Sequence, residues 1–576
     1  MGARMTSPAT SSDSDPRRAP GTSWRSRLAP WWPFAAVVIG YLVVATQQID
    51  LPGVYMDAVN PDYLVVRLLN ANAEPITAWL LPGNYLKEKA PVLISFYHGS
   101  EQVWLGLPFF WLFGTTVTGL RLTHAMFALG LLGALYALLA TSGMRPWQAG
   151  LACLALAIDP AFSYAFRTQS YITLAPTAWL ALSLFALQRV AARPSRRYRW
   201  LALSGAAYGF SVVGYFIYAF FLPALLVAVA LWSADAKRAT RLPAARRAWP
   251  TWSLWIAAAA VGGACYPVGY ALTVVQFGGF AAAWAYFQQT QQALQAFAGQ
   301  PQFSERLAHV VEMVEAVVQN WAHHMLIFGE YTPLPGSGVK TALLAGGPVA
   351  LWVCAEIRHR VGTLLRVLLT LIASFLVVSL IFGARLQGHH FVPLLPLAYA
   401  ALAVALRDAT PDLRRYAPAI FVVPLLFLAG LNVVGQFREA GRLAETRGVG
   451  LYSDAIDRLA EDLNAMPRKP FVYFPDWGLS MPVAFLTGGT VGMDSVEDFA
   501  GARRMLCAGR DVAVAFVNGD RSARIASWRE SLRWDAPTTV VYRQGNGSIL
   551  FELARFQGKR DAPSCESPPG SAPAAR

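Results

Sequence analysis

Apolar segments of roughly membrane-spanning length recur along most of this 576-residue chain. A helix that crosses a bilayer needs roughly 20 consecutive residues, most of them apolar. On that criterion the pattern predicts eleven transmembrane helices, at about 31–46, 120–141, 146–163, 171–190, 200–213, 215–232, 252–276, 340–357, 363–383, 389–406 and 416–434. The pattern therefore predicts an α-helical polytopic membrane protein.

Polar regions flank and interrupt these apolar segments. Residues 1–30 are rich in Ser, Pro, Ala and Arg, which predicts a disordered tail. A proline-interrupted acidic loop occupies 47–113, and a second loop occupies 277–339. The second loop contains aromatic-rich amphipathic stretches, which are typical of helices that lie in the membrane interface. We expect 31–435, with both loops, to form one transmembrane domain.

After residue 440 the apolar runs shorten and the charge rises. Helical and strand patterns alternate at 454–466, 471–474, 503–509, 512–517, 521–532, 538–543 and 548–553. This alternation predicts a small soluble α/β domain over 440–557, followed by a disordered tail at 558–576. Cys507 and Cys565 lie in this region, where a disulfide is possible if the region is extracytoplasmic.

Composition narrows the class of protein. Hydrophobic residues make up 55% of the chain and charged residues only 14%, against about 25% charged residues in an ordinary soluble domain. These values exclude a disordered chain, a coiled coil and an ordinary soluble enzyme. The net charge of +14 is dispersed in short clusters between apolar segments, so it does not indicate nucleic-acid binding.

The basic clusters predict the orientation of the chain in the membrane. They lie at 189–199, 237–247, 358–366 and 407–415. In the eleven-helix topology all four are on the side of the basic N-terminus, and loops rich in Lys and Arg stay in the cytoplasm. We therefore expect a multi-pass protein of the cytoplasmic (inner) membrane, with a cytoplasmic N-terminus. The 47–113 loop and the C-terminal domain would be extracytoplasmic.

Candidate chemistry lies in the first loop, just after the first apolar segment. Asp57 and Asp62 flank the proline turn at Pro61, and Tyr63 follows. A carboxylate at the outer face of the membrane can act as a general base. A solvated acidic loop explains the same pattern.

Several short motifs occur here in an order that resembles the GT-C group of lipid-linked-sugar glycosyltransferases. The motifs are the 55–63 acidic stretch, Tyr97–Glu101, Leu107-Pro108 with Phe113-Gly114, Arg121-Leu122, Pro160–Phe162 with Arg167, and His389–Pro396. The sequence is most similar to glycosyltransferase family 39, to bacterial relatives of protein O-mannosyltransferases and to the aminoarabinose transferases of lipid A. The resemblance covers about 31–435.

The resemblance implies a hexosyl or pentosyl transfer, with inversion, from a polyprenyl-phosphate sugar to an extracytoplasmic lipid, glycan or protein acceptor. The family's first-loop acid aligns best with Asp57, which would act as general base, and Asp62 is the alternative. The family usually has Asp-Glu where this chain has Asp57-Ala58. Many relatives also carry an acid before the fourth span, and the nearest residues here are Gln169, Tyr171 and Asp159. These departures question a two-carboxylate or metal-assisted mechanism.

The resemblance also implies a lipid phosphate as leaving group, which calls for cations near the outer interface. The candidates are Lys87, Lys89, Arg121, Arg167 and Arg385. The planar guanidinium of arginine binds two phosphate oxygens at once. The alternative is that these side chains extend to lipid headgroups.

Histidines are further candidates for substrate binding. His389 and His390 lie at the outer end of a predicted span. They fit either hydrogen bonding to a sugar or phosphate, or a structural role at an interface. His98 and Glu101 are three residues apart and would share a face if this stretch were helical. With Asp57 they could bind a divalent metal, although the sequence indicates no cofactor with certainty. His323 and His324 suggest interfacial packing.

Two other functions remain open at this point. A transporter or flippase for a lipid-linked or amphipathic solute usually carries ionisable residues near the bilayer midplane. In this chain the charges collect at the outer ends of the spans, which favours the transferase. A related enzyme that joins or polymerises polysaccharide would use the same class of donor without relying on Asp57.

Overall fold

The computed structural model describes residues 31–74, 81–86, 90–240, 249–298, 302–357, 361–383, 386–409, 416–476, 478–562 and 565. These residues form a helical bundle that carries an α/β region on one end. The predicted tail at 1–30 lies outside the described residues, as does most of the predicted tail at 558–576.

Seven helices in the described residues are long and apolar enough to cross a membrane. They are Val117–Thr141, Ser170–Ala192, Phe216–Ala236, Ser337–Ile357, Thr363–Phe382, Gly388–Ala409 and Ala417–Thr446. Two bent pairs raise the count to nine if each pair is one span: Pro146–Ala157 with Pro160–Thr168, and Thr251–Gly262 with Cys265–Gln276. Length and composition thus agree with a multi-pass membrane protein.

Each of the eleven predicted segments contains a helix, although two of these helices fall short of the criteria for a span. Trp32–Thr46 has 15 residues, and Arg197–Gly214 begins with a run of charged residues. The total of eleven therefore stays a prediction. The third predicted span bends by 67°, because Pro160 has no amide hydrogen to continue the helix.

The last spanning helix is longer than the sequence pattern predicts. It runs from Ala417 to Thr446, past the predicted boundary at 435–440. Its buried positions include Asn432, Gly435, Gln436, Glu439, Ala440 and Leu443. Their spacing of three and four residues is helical. Because several of these buried side chains are polar, a search for apolar segments alone does not detect this part of the helix.

Close helix packing in the bundle depends on small residues. Gly205 and Gly209 lie on helix Arg197–Gly214, and Gly262 lies on helix Trp249–Gly262. A Cβ atom at any of the three would overlap backbone atoms of the other helix. The two backbones therefore approach each other as closely as small-residue interfaces permit.

The first loop is folded over its described residues. It contains the short helices Met56–Val59 and Val65–Leu69, the single turn Asp62–Leu64, and helix Glu101–Phe113. Two small antiparallel hairpins pair Tyr85–Leu86 with Ala90–Pro91 and Leu93–Ser95 with His98–Gly99.

The second loop consists of helices Phe280–Ala298, Phe303–Val318 and Trp321–Phe328. Phe303, Leu307 and Val311 form an exposed apolar stripe at four-residue spacing. This stripe fits the predicted interfacial position of the helix.

The C-terminal region contains a five-stranded sheet in the order Met493–Asp494, Phe471–Tyr473, Val512–Phe516, Ile549–Phe556, Thr538–Arg543. The first three strands are parallel and the last two are antiparallel. Helices Ala455–Ala465, Ser480–Leu486, Phe499–Cys507 and Arg521–Leu532 accompany it. The strand patterns at 538–543 and 548–553 correspond to two strands that pair as an antiparallel hairpin, and Cys507 forms a disulfide with Cys565. A small C-terminal α/β region is thus confirmed.

This sheet region packs directly on the first loop. Helix Ser480–Leu486 contacts both Met56–Val59 and the turn Asp62–Leu64. The ring of Tyr452 lies 5.5 Å from that of Tyr55. Gly53 lies against the backbone of Ser453, where a Cβ atom would overlap the carbonyl group. The C-terminal region therefore covers the segment that carries Asp57.

Gly53→Ala should loosen this contact, because the added methyl group has no space beside Ser453. We expect a loss of stability of about 1–3 kcal/mol, the usual effect of overpacking. Thermal unfolding of the purified chain in detergent measures it. Gly441→Ala is the matched control, since nothing lies within 4 Å of a Cβ there. Equal melting temperatures for the two variants would contradict the close contact.

Candidate functional site

Asp57 lies on the short helix Met56–Val59 in the first loop. Its Oδ2 atom accepts a hydrogen bond from Nε2 of Gln169 at 3.1 Å. Gln169 lies between two single-turn helices, Ala165–Thr168 and Ser170–Thr173. This break in the helix places the side-chain amide of Gln169 against the first loop. Asp57 is therefore held at the end of the spanning bundle that the first loop covers.

Aromatic and imidazole rings form a wall beside Asp57. The centroid of the His98 ring lies 4.7 Å from that of Tyr171, and Tyr97 lies 5.6 Å from Tyr215. The negative charge of Asp57 acts electrostatically on Tyr97, Tyr171, Tyr215 and Tyr452. Membrane helices, loop and C-terminal region thus all contribute to one aromatic recess.

The environment of Asp57 makes its carboxylate a stronger base than an exposed one. Burial raises the pKa of Asp57 above the ordinary aspartate value, and the hydrogen bond from Gln169 offsets part of that shift. A carboxylate with a raised pKa binds a proton more tightly. The residue is half-buried rather than sealed, so a ligand can reach it.

Asp62 has a different environment. It is fully buried, and its Oδ2 atom accepts from Nε2 of Gln102 and lies 2.7 Å from Nε2 of His124. Ser170 bonds to both of these partners. Tyr63 is also fully buried. Asp62 therefore ties the loop to two membrane helices and is not open to a ligand.

Arg121 and Arg167 point their guanidinium groups at the loop backbone. Arg121 donates to the carbonyls of Ile49 and Pro52. Arg167 donates to the carbonyl of Leu51 at 2.8 Å and to that of Gln47. Both arginines are buried. Their observed contacts hold the loop that carries Asp57.

His98 and Glu101 do not share a helix face, contrary to the sequence expectation. His98 lies on strand His98–Gly99, and Glu101 is the first residue of helix Glu101–Phe113. Pairing of His98–Gly99 with Leu93–Ser95 extends the backbone before the helix begins. Burial lowers the pKa of His98 to about 3, so the ring is neutral at neutral pH.

Glu101 is buried, and neither carboxyl oxygen has a hydrogen-bond partner within the described part of the chain. Burial raises its pKa well above the ordinary glutamate value. Burial therefore favours the protonated form of this carboxyl group.

His390 belongs to the same ring wall. Its Nδ1 atom lies 3.0 Å from the amide nitrogen of Gln387, and its Nε2 atom lies 3.3 Å from the Tyr215 hydroxyl oxygen. His389 packs against His390 with 4.0 Å between ring centroids. His323 bonds through Nδ1 to the Thr168 hydroxyl at 2.8 Å.

Three predicted substrate-binding residues, Lys87, Lys89 and Arg385, lie outside the described residues. Among the residues that the structure describes, no group of three or more His, Cys, Asp and Glu side chains is arranged to hold a metal ion.

The chain shows no match to a family model or to a curated protein. Its structure is similar to that of ArnT from Cupriavidus metallidurans bound to undecaprenyl phosphate. The TM-score is 0.54 at 14% identity, and the match covers 92% of this chain and 98% of that chain. The chain therefore has the fold of that structure, the GT-C fold.

Two weaker structural matches fall below a TM-score of 0.5. One is the Archaeoglobus fulgidus oligosaccharyltransferase tethered with an acceptor peptide, at 0.45 and 12% identity, covering 92% of this chain and 74% of that chain. The other is the arabinofuranosyltransferase AftD from Mycobacteria, at 0.40 and 16% identity, covering 92% and 41%.

Within this GT-C fold, the sequence named most of the residues that meet at the recess, but it missed how they connect. Gln169 was identified only as standing where relatives carry an acid, and it proves to be the hydrogen-bond partner of Asp57. Tyr215 and Tyr452 had no sequence signal, because aromatic residues occur throughout this chain. Gln102 and His124 had none either.

Asp62→Asn should destabilise the fold, because the neutral amide weakens two buried hydrogen bonds of the carboxylate, one with Gln102 and one with His124. We expect a loss of about 2 kcal/mol, visible as a lower melting temperature in detergent. Asp535→Asn is the control, since Asp535 forms an exposed pair with Lys559 that contributes little. An unchanged melting temperature combined with lost activity would instead give Asp62 a direct chemical role.

Proposed function

We propose that the chain transfers a sugar from a polyprenyl-phosphate donor to an acceptor hydroxyl outside the membrane, with Asp57 as general base. The observation that supports this most is the half-buried Asp57 carboxylate, held by Gln169 in an aromatic recess at the end of a GT-C bundle. ArnT, which shares the fold, was solved with undecaprenyl phosphate bound. A lipid-borne donor would bring its sugar to this same level of the molecule.

The proposed reaction is a single displacement. The acceptor oxygen attacks the anomeric carbon, and the bond from that carbon to the phosphate oxygen breaks as the new bond forms. Asp57 takes the acceptor proton, and the electron pair of the broken bond leaves with the lipid phosphate. Attack opposite the leaving group inverts the anomeric configuration. The raised pKa of Asp57 favours proton uptake in this step.

The rings beside Asp57 suit the exclusion of water from a sugar donor. Tyr97, Tyr171 and Tyr215 present aromatic faces with hydroxyl groups at their edges, a combination that packs against a sugar and bonds to its hydroxyls. His390 holds the Tyr215 hydroxyl. Neutral His98 packs against Tyr171 without adding charge beside the base.

Two observations support an extracytoplasmic site. The Cys507–Cys565 disulfide is typical of an oxidising compartment, and the sheet region that contains it covers the Asp57 loop. The clustered basic residues indicate a cytoplasmic N-terminus. We therefore place the protein in the cytoplasmic membrane with Asp57 on the outer side. The acceptor is a lipid, glycan or protein hydroxyl.

The transporter alternative has one structural feature in its favour. Lys340 and Asp159 form a buried ion pair at 2.7 Å, and Tyr399 and Asn432 extend it into the bundle. Buried charges of this kind mark ion pathways in transporters. Here the Asp159 carboxylate also caps helix Pro160–Ser163, which gives the pair a structural role at a helix break.

Asp57→Asn should abolish transfer, because the amide cannot accept the acceptor proton. We expect a fall in kcat of roughly 10²–10⁴-fold with an unchanged melting temperature. Transfer is measured in membranes supplied with labelled polyprenyl-phosphate sugars. Asp535→Asn, remote from the recess, is the matched control and should keep full activity. Movement of labelled lipid across the membrane without donor cleavage would support the transporter instead.

Gln169→Glu should shift the pH dependence of transfer. Asp57 must be ionised to act, so activity falls as the pH drops through its pKa. A second carboxylate 3.1 Å away disfavours ionisation and raises that pKa, which moves the acid limb to higher pH by on the order of one unit. Initial rates from pH 5 to about 9 measure the shift. Gln319→Glu, on a different element, should leave the limb in place. An unmoved limb in Gln169→Glu would exclude Asp57 as the titrating base.

A further inference from the structure

A cleft of about 460 Å³ lies between the C-terminal region and the outer ends of two membrane helices, away from the aromatic recess. It begins just beyond helix Trp32–Thr46 and at the start of helix Val117–Thr141. Its lining residues are Asp50, Leu51, Thr116, Val117, Thr118, Arg447, Asp454, Asp457, Arg458 and Glu461. Neither the proposed transfer nor the resemblance to GT-C enzymes assigns it a role.

The charges in this cleft are of both signs and are incompletely paired. Arg447 donates to Asp454, and Arg458 lies 3.5 Å from the same carboxylate. Both arginine side chains are about half exposed, at 53% and 48%, so each retains N–H groups for a ligand. One carboxylate thus serves two arginines.

Three carboxylates of the cleft remain without a lysine or arginine ion pair among the described residues: Asp50, Asp457 and Glu461. The Oδ1 atom of Asp457 is buried and has no hydrogen-bond partner there. A buried, unpartnered carboxylate oxygen is costly. Asp457 lines the cleft, so a donor group bound in the cleft would relieve this cost.

The opposite wall can hold an anion. The amides of Val117 and Thr118 open the 25-residue helix Val117–Thr141 and form no backbone hydrogen bond in the described structure, while the Thr116 hydroxyl caps the amide of Gly119. The first amides of a helix favour negative groups such as phosphate. The half-exposed Arg447 lines the same cleft.

We propose that this cleft binds the headgroup of a zwitterionic phospholipid that carries a primary ammonium, as in phosphatidylethanolamine. The ammonium group donates to Asp457 and Glu461, which lie one helical turn apart on helix Ala455–Ala465. The phosphate accepts from the amides of Val117 and Thr118 and from Arg447. No second ion is needed, because the headgroup supplies both charges.

The position of the cleft favours a membrane lipid over a soluble ligand. The cleft lies at the ends of helices Trp32–Thr46 and Val117–Thr141, where the proposed topology puts the lipid headgroups. Helix Glu101–Phe113 ends three residues before the cleft residue Thr116, and its last turn exposes Trp111 at 78% and Leu112 at 66%. Exposed apolar side chains this close to the cleft in the chain suit contact with the acyl chains of a lipid whose headgroup is bound there.

Binding should depend on pH. Burial raises the pKa of Asp457 to about 7, against the lowering effect of Arg121 and the Val54 amide. The other charged groups facing it are Arg458 and Glu461 on its own helix, Asp454 at the N-cap of that helix, and Asp50 and Arg447 around the cleft. The ammonium ligand requires ionised Asp457, so it should bind more weakly at pH 6 than at pH 8.

The test uses the full chain, purified in detergent, and native mass spectrometry with phosphatidylethanolamine, phosphatidylcholine or phosphatidylglycerol of identical acyl chains. Phosphatidylcholine keeps both charges but cannot donate hydrogen bonds, and phosphatidylglycerol has no ammonium. We expect phosphatidylethanolamine to bind about tenfold more tightly than either, the usual effect of a charged hydrogen bond. The preference should shrink at pH 6.

Asp457→Asn combined with Glu461→Gln should remove both the preference and its pH dependence. Glu530→Gln, an exposed acid on helix Arg521–Leu532, should change neither. Equal binding of phosphatidylethanolamine and phosphatidylcholine would overturn the proposal, as would preferred binding of phosphatidylglycerol. If the double variant unfolds, the comparison of the three lipids on the unaltered chain still decides. Glycosyl transfer is not the readout, so failure here leaves the proposed function untouched.

Discussion

Two buried guanidinium groups hold the segment on which the rest of the candidate site depends. Arg121 and Arg167 come from the membrane helices and donate to backbone carbonyls between residues 45 and 52. A buried guanidinium must have its hydrogen bonds satisfied, and an irregular loop offers carbonyl groups that no helix or sheet occupies. The loop carbonyls satisfy the arginine donors, and the arginines satisfy the loop carbonyls. These hydrogen bonds therefore fix the path of the chain toward Asp57.

The C-terminal region secures the same segment from the opposite side. Gly53 allows the backbone of Ser453 to approach, and Tyr452 donates to the carbonyl of Thr168, next to Gln169. This enclosure is the reason that Asp57 is buried enough to have a raised pKa while remaining open to the recess. The sheet region thus contributes to the chemistry of the loop although its own strands carry none of the candidate residues.

Interrupted helices place polar groups at the end of the bundle that faces the first loop and the C-terminal region. The breaks at Asp159-Pro160 and at Gln169 free backbone and side-chain groups that a continuous helix would point into lipid. Neighbouring helices satisfy them: Lys340 and Tyr399 bind Asp159, and Asp57 binds Gln169. Irregular backbone at membrane depth is tolerated where it is buried in protein or lines a cavity, and here it forms one wall of the recess.

The sequence by itself determined the class of protein, the approximate position of the helices and the C-terminal α/β region. Apolar length and strand-helix alternation are local properties, so they can be read along the chain. The tertiary structure alone decided the surroundings of the candidate residues. It set Asp57 in the recess and Asp62 in a sealed network, turned Arg121 and Arg167 toward the backbone, and extended the last helix to Thr446. A carboxylate or a guanidinium takes its function from the partners that surround it, and those partners lie up to hundreds of residues away in the chain.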